Sequence, residues 1–498
     1  MIGIILNDNA YEQDIRELLM AFFPGRSFVH EMLPGLELCL IGNVEEDHQW
    51  FRMQVVFWGE YSHLVWGNTP AEQRELDHFD EPIAVDYENR TDTKNKIKRR
   101  LYVILKALTG RSLPWGSLTG IRPAKIALTL LEDGMSREEI HIHMQEKYFT
   151  SAEKARLCVE IAGRERELLS LLPKAKKAEG YSLYVGIPFC PTTCLYCSFT
   201  SYPIEKWTKR VGEYLSALFQ EFDYVAMRMG RHPSAVYVGG GTPTSLTAEQ
   251  LKQLMDRLTC TFDCGGAVEF TVEAGRPDSI TREKLAVLKS YGVTRISINP
   301  QTMNQKTLDL IGRRHTVEDV KDRFCMAREM GFENINMDLI VGLPQEDAED
   351  VKKTMDAVKA LAPDSLTVHS LAIKRAARLN IMREVYKDYK ITGTSEIIDM
   401  TARYAREMGL EPYYLYRQKN MAGNFENVGY ASPGKACIYN ILIMEEQQTI
   451  VACGAGSASK RVYPDGRIER CENVKDVALY IEKIDEMIER KRKLLTDF

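Results

Sequence analysis

From residue 181 onward the chain repeats one pattern: a short apolar, β-branched run, then a longer stretch with apolar positions three and four apart. The runs at 182–187, 235–239, 268–273, 295–299, 335–341 and 365–371 predict strands, and 206–229, 247–259, 280–290, 317–331 and 348–361 predict the helices between them. Strands separated by helices of this length form βαβ units with parallel neighbours. The fold class is therefore α/β, and six units over 181–380 predict a partial (β/α)6 barrel in place of a complete eight-stranded one. Ahead of it, residues 1–110 predict a small α/β domain, with helical spacing over Tyr11–Phe23 and strands over Glu37–Gly42 and Phe51–Trp58. Residues 111–180 predict a helical segment in which SLPWGSLTGIRP (112–123) turns between helices, followed by a linker, PKAKKAEG (173–180), whose lysines are solvated. Beyond residue 380 the pattern becomes irregular, and 381–498 reads as a C-terminal extension packed beside the barrel.

Composition narrows the class of protein. A chain of 498 residues, 44% hydrophobic and 27% charged, can bury a sizeable core. A net charge of −5 gives no global attraction to nucleic acid or anionic lipid, so neither is expected as a partner. The N-terminus, MIGIILNDNAYEQD, lacks both a basic region and a long apolar one, and no apolar stretch approaches the roughly 18 residues of a membrane span. The expected compartment is the cytoplasm. There, eleven cysteines point to metal or redox chemistry before a disulfide scaffold.

The strongest chemical signal is YVGIPFCPTTCLYCSF (184–199), which places Cys190, Cys194 and Cys197 in a C-x3-C-x2-C loop directly after the first barrel strand. A structural zinc site would need a fourth ligand, normally as a second close pair, and none lies at suitable spacing. Thiolates are the ligands of iron–sulfur clusters, and a four-iron cluster ordinarily takes four. Three leave one iron open to the amino and carboxylate groups of S-adenosylmethionine (SAM). Ligands of barrels sit at the C-terminal ends of strands. Candidate residues fall there repeatedly: Gly239–Gly241 and Thr242 in GGGTPT, Glu273 ending EFTVE, Gln301 after RISIN, and Asp338 in INMDLIV, with Arg313 in IGRRHT. Glycines admit close backbone approach, a carboxylate accepts from ribose hydroxyls, and a guanidinium forks onto a carboxylate. Cys260 and Cys264 form a pair without a third partner and read as core thiols.

Together, Y-V-x-I-P-F-C-x3-C-x-Y-C and GGGTPT (239–244) resemble the oxygen-independent coproporphyrinogen III oxidase family of radical SAM proteins, from about residue 181 to 460. The separate N-terminal domain with LPWGSLTGIRP resembles the family's HemZ-type branch. The resemblance implies a [4Fe–4S] cluster on Cys190, Cys194 and Cys197. It also implies one or two SAM molecules on Tyr184, Tyr196, Gly240, Gly241, Thr242, Glu273, Gln301, Arg313, Asp338, Ala372 and Ala458. It further implies a porphyrinogen or haem ligand and a flavodoxin- or ferredoxin-like electron donor. The implied reaction is oxidative decarboxylation of coproporphyrinogen III propionates to vinyl groups; a haem chaperone and a radical SAM methyltransferase are the alternatives. Two positions depart from the decarboxylases: Gly186 stands where they have His, and Phe199 where they have a fourth Cys. Phe199 resembles the chaperone branch, whose H-N-x-x-Y-W segment is in turn degraded to ENVGYA (426–431).

Overall fold

The computed structural model describes residues 1–45, 49–57, 82–170, 172, 180–372, 377–381, 394–418 and 425–496. Trp58 and the linker lysines lie outside them. The chain divides into two compact units, residues 1–159 with 417–424, and 160–416 with 425–498. The helical residues after 110 therefore belong largely with the N-terminal sheet, where the sequence reading set them apart.

The N-terminal unit is a five-stranded sheet: β1 (Ile2–Leu6), β2 (Phe28–Val29), β3 (Leu38–Val44), β4 (Trp50–Phe57) and β5 (Ile83–Ala84), in the order β2-β1-β3-β4-β5. The helices Glu12–Phe22 and Arg90–Thr109 pack on it through Ile15, Leu18, Leu19, Phe22, Ile97, Leu101 and Leu105. Strand β1, absent from the sequence expectation, is nearly all apolar and has no alternation to reveal it.

The second unit holds β6 (Tyr181–Ile187), the short pair β7 (Phe189–Cys190) and β8 (Tyr202–Pro203), β9 (Ala235–Gly240), β10 (Glu269–Gly275), β11 (Arg295–Ile298), β12 (Ile335–Val341) and β13 (Ser365–Ser370). It continues with β14 (Glu411–Tyr416), β15 (Asn427–Ala431), β16 (Thr449–Cys453), β17 (Ala458–Val462) and β18 (Ile468–Glu472). Strands β6 and β9–β13 lie side by side in chain order, all parallel, as six βα units require. The last hundred residues do more than pack beside this sheet. Strand β16 adds in parallel to β6 and leads to antiparallel β17 and β18, while β15 and β14 add antiparallel beyond β13. The C-terminal segment thus extends both edges of one eleven-stranded sheet.

It also closes the barrel's N-terminal mouth. At the start of β10 the Glu269 carboxylate accepts from Cys437 Sγ (3.2 Å) and from the Ile438 amide (2.9 Å), at the entry to the helix Ile438–Met444. Tyr439 on that helix stacks on Tyr237 at 4.7 Å between ring centroids, and Tyr184 continues the stack. A ligand is left the C-terminal ends of the strands. Among the described residues, no helix is long and apolar enough to cross a membrane.

Candidate functional site

Strand β6 delivers the cysteine loop. After Ile187 the chain enters β7, which pairs with β8, while the Tyr202 amide donates to Pro188 O (2.8 Å), so both ends of the loop are tied. Its middle is pinned by Leu195, which packs on Ile311, Ile340, Leu343, Leu371 and Leu379 and donates its amide to Ile311 O (2.9 Å). This apolar anchor holds the loop independently of its thiols. Cys194 is buried, and Cys190 and Cys197 are half-buried. Cys190 Sγ lies 3.5 Å from Thr242 Oγ1, and Cys197 Sγ lies 3.7 Å from Ser201 Oγ. Burial pushes the Cys190 thiol up to about 12, against the Thr242 hydrogen bond, and raises Cys197 as well. Such thiols ionise only with a metal to stabilise the thiolate. Among the described residues no group of three His, Cys, Asp or Glu side chains is gathered around the position of a single metal ion. Three thiols on one loop are a donor set suited to an iron–sulfur cluster.

Two buried guanidiniums flank the loop. Arg276 Nη1 donates to Thr192 O (3.0 Å), Thr192 Oγ1 (2.6 Å) and Cys194 Sγ (3.8 Å), while Asp278 pairs with the same guanidinium at 2.6 and 3.0 Å. Arg313 Nη1 donates to Asn299 O (2.6 Å) and Nη2 to Tyr196 Oη (3.3 Å), but its Nε is unpartnered, and no carboxylate pairs with it among the described residues. A buried cation without a counter-charge is costly. Here it faces the cysteine loop, so an anionic cluster or a ligand carboxylate fits the place. Arg276 escaped the sequence reading, although its position just past β10 marked it as a strand-end residue.

The glycine turn serves packing as well as access. A Cβ on Gly239 would lie 2.8 Å from the Glu273 carboxyl, and one on Gly241 would lie 2.6 Å from Phe189 O. The Gly241 and Thr242 amides donate to Ile187 O (2.8 Å) and Phe189 O (2.7 Å), clamping the turn to the cysteine loop. Glu273 accepts from Tyr237 Oη at 2.6 Å. Asp338 accepts from Asn336 Nδ2 at 2.7 Å. Gln301 is held at φ 68°, a left-handed conformation uncommon for a non-glycine residue. The hydrogen bonds Gln301 N to Asp338 O and Ile340 N to Gln301 O, each 2.9 Å, impose it, and the side-chain Oε1 is buried without a partner. Ala372 follows β13, half-buried.

A cavity of about 230 Å³ opens beside the loop, lined in part by Tyr184, Gly186, Phe199, Gly240, Ala455 and Gly456. Ala458 does not line it: it is exposed at the start of β17, opposite Glu472. The residues of CGAGSAS that reach the cavity are Ala455, Gly456 and Ser457. Phe199 stands 72% exposed at this cavity, and a Cβ on Gly186 would lie 3.3 Å from Cys453 O.

Burial pushes the Glu273 carboxyl up to about 7, opposed by the Tyr237 hydrogen bond and reinforced by the Asp338 charge. Burial likewise pushes Glu346, bound by Thr302 Oγ1 at 2.6 Å, up to about 7. These two groups hold protons in the folded chain that the unfolded chain releases near pH 4.3, so the stability they contribute is full at low pH and is lost as pH rises from there through about 7. For Glu273 this amounts to about 3–4 kcal/mol. In protein free of cofactor, Glu273→Gln should flatten part of the fall in melting temperature between pH 5 and 8. An unchanged slope would contradict this assignment.

Residues 184–358 match the model of the radical SAM superfamily. The chain is 43% identical over 425 residues to the oxygen-independent coproporphyrinogen-III oxidase-like protein HemZ of Bacillus subtilis, covering 84% of each chain. It is 39% identical over 206 residues to the heme chaperone HemW of the same organism, across 41% of this chain and 54% of that one. Coproporphyrinogen III oxidase HemN of Escherichia coli, a radical SAM enzyme, superimposes with a TM-score of 0.51 at 25% identity, over 65% of this chain and 72% of that one. Fold and cysteine loop thus define a radical SAM protein, whose cofactors are SAM and a [4Fe–4S] cluster. The chain belongs to the family of oxygen-independent coproporphyrinogen-III oxidase-like proteins.

Proposed function

We propose that this chain decarboxylates two of the four propionates of coproporphyrinogen III to vinyl groups, yielding protoporphyrinogen IX. When bound, the cofactors supply a 5′-deoxyadenosyl radical that takes a hydrogen atom from a propionate β-carbon, after which loss of CO2 and one electron leaves the vinyl group. Cys190, Cys194 and Cys197 hold the cluster, with Arg276 steadying Cys194. Arg313 meets the SAM carboxylate, Glu273 takes the ribose hydroxyls, and Tyr184 and Gly240 bound the cavity that receives the cofactor. Gln301, with its unpartnered Oε1, and Asp338 within β12 offer polar groups to a second SAM or to substrate. The observation that carries the reading is the buried, uncompensated Arg313 beside three thiols at the open end of the barrel. A flavodoxin- or ferredoxin-like protein supplies electrons in this scheme.

A haem chaperone is the second reading, favoured by the exposed Phe199 and by similarity to HemW. Against it, Asn427 and Tyr430, the remnants of the chaperone segment, are both buried. Asn427 Oδ1 accepts from the Ser370 amide (2.9 Å) and its Nδ2 donates to Tyr416 O (3.2 Å), joining β13 to β14. The deciding experiment is anaerobic incubation of reconstituted protein with SAM, reductant and coproporphyrinogen III, followed by mass spectrometry. CO2 release with a vinyl product is expected, and Phe199→Cys should leave turnover equal or raise it. Stoichiometric haem binding with no CO2 would instead establish the chaperone.

A further inference from the structure

The C-terminal helix Ile484–Leu494 buries one lysine completely. Lys491 Nζ pairs with Glu221 on the helix Val211–Met229, at 1% and 0% side-chain exposure. The Glu221 carboxylate is fully subscribed. Its Oε1 accepts from Lys491 and from Asn473 Nδ2 (2.7 Å), and its Oε2 accepts from Tyr480 Oη (2.6 Å) and from the backbone amide of Gly454 (2.7 Å). Lys491 donates in turn to Asn473 Oδ1 at 2.8 Å. A buried ion pair is a poor source of stability, because desolvation offsets the attraction and an apolar pair of similar volume often does as well. What this one supplies is a fixed position for Gly454.

Gly454 begins the loop that walls the cavity. It sits at φ 102°, and a Cβ there would run into Gly186 O at the end of β6. Two turns before Glu221 on the same helix, Tyr214 Oη donates to Gly186 O (2.7 Å) and accepts from the Ala455 amide (3.1 Å). The two helix residues thus hold consecutive amides of the loop against the strand that leads into the cysteine motif. Ala455, Gly456 and Ser457, the next three residues, line the cavity.

We propose that Tyr214 and Glu221 are positioning residues that set the Gly454–Ser457 loop as a wall of the SAM cavity, and that Lys491 brings the C-terminal helix into cofactor binding through Glu221. The inference rests on the reading above that this cavity receives SAM. It is independent of which porphyrin chemistry follows.

The test uses full-length reconstituted protein carrying Tyr214→Phe or Lys491→Met. Three quantities are read: SAM affinity by equilibrium dialysis, amide hydrogen exchange over residues 453–458, and iron content. Tyr214→Phe removes one hydroxyl and keeps the ring packed. Losing its two hydrogen bonds should weaken SAM binding about 5–10-fold and speed exchange at Ala455, with iron content unchanged. Lys491→Met leaves a buried carboxylate unpaired and should weaken SAM binding further. If it does not fold, Tyr214→Phe decides alone. Faster exchange with unchanged SAM affinity would overturn the proposal, since the loop would be held without serving the cofactor. Unchanged exchange and affinity would overturn it equally. Neither readout involves a porphyrinogen, so failure here is distinct from failure of the proposed reaction.

Discussion

Alanine in place of Cys190, Cys194 or Cys197, one at a time, is expected to abolish SAM cleavage, while the fold survives. Wild-type protein reconstituted anaerobically should carry about four irons per chain, the content of one [4Fe–4S] cluster. Each substitution removes one of only three protein ligands on the loop. The fold survives because the loop is anchored by groups other than its sulfurs: Leu195 in its apolar cluster, the Leu195 amide on Ile311 O, and the Tyr202 amide on Pro188 O. The five-stranded N-terminal sheet has its own core and should keep its melting behaviour. Cys194→Ala should retain the least iron of the three, because Cys194 is buried and receives the Arg276 guanidinium. Cys260→Ala is the control: that thiol is exposed, outside the loop. A triple variant that retained its full iron and sulfide would overturn the cluster assignment.

The second large effect is expected at Arg313. Arg276 is already balanced by the two oxygens of Asp278, whereas Arg313 has a carbonyl, a phenol and the Cys194 thiol beside it and no carboxylate among the described residues. The uncompensated guanidinium is the one free to take a ligand carboxylate, and hydrogen bonds to charged groups are worth about 1.5–3 kcal/mol. Arg313→Ala should therefore weaken SAM binding by roughly 10- to 100-fold, with iron near the wild-type level. Arg313→Lys should recover only part of it, since an ammonium cannot bridge Asn299 O and Tyr196 Oη while forking onto a carboxylate. Arg276→Met should show the reverse profile, losing iron before SAM affinity, because its contacts are Thr192 and Cys194. Unchanged SAM affinity in Arg313→Ala, measured by equilibrium dialysis, would move the SAM carboxylate elsewhere.

What the sequence by itself determined is everything carried by short-range pattern. The six strands of the barrel and the helices between them are legible because burial of one face imposes a period on neighbouring residues. The cysteine loop is legible because its ligands lie within eight residues of one another. Glu273 and Asp338 stand out because carboxylates in apolar strands require a reason. The tertiary structure decided what depends on residues far apart in the chain. That β15 and β16 join opposite edges of one sheet follows from pairings with β13 and β6, and five-residue strands carry too little periodicity to announce it. Arg276 and Arg313 differ only in whether a carboxylate lies within reach, which the pairing of Arg276 with Asp278 shows and spacing does not. The loop at Gly454 is set by Glu221 and Lys491, 270 positions apart, whose charges meet only because two helices bury them together. A buried charge pair has no local period, so nothing short of the folded chain reveals it.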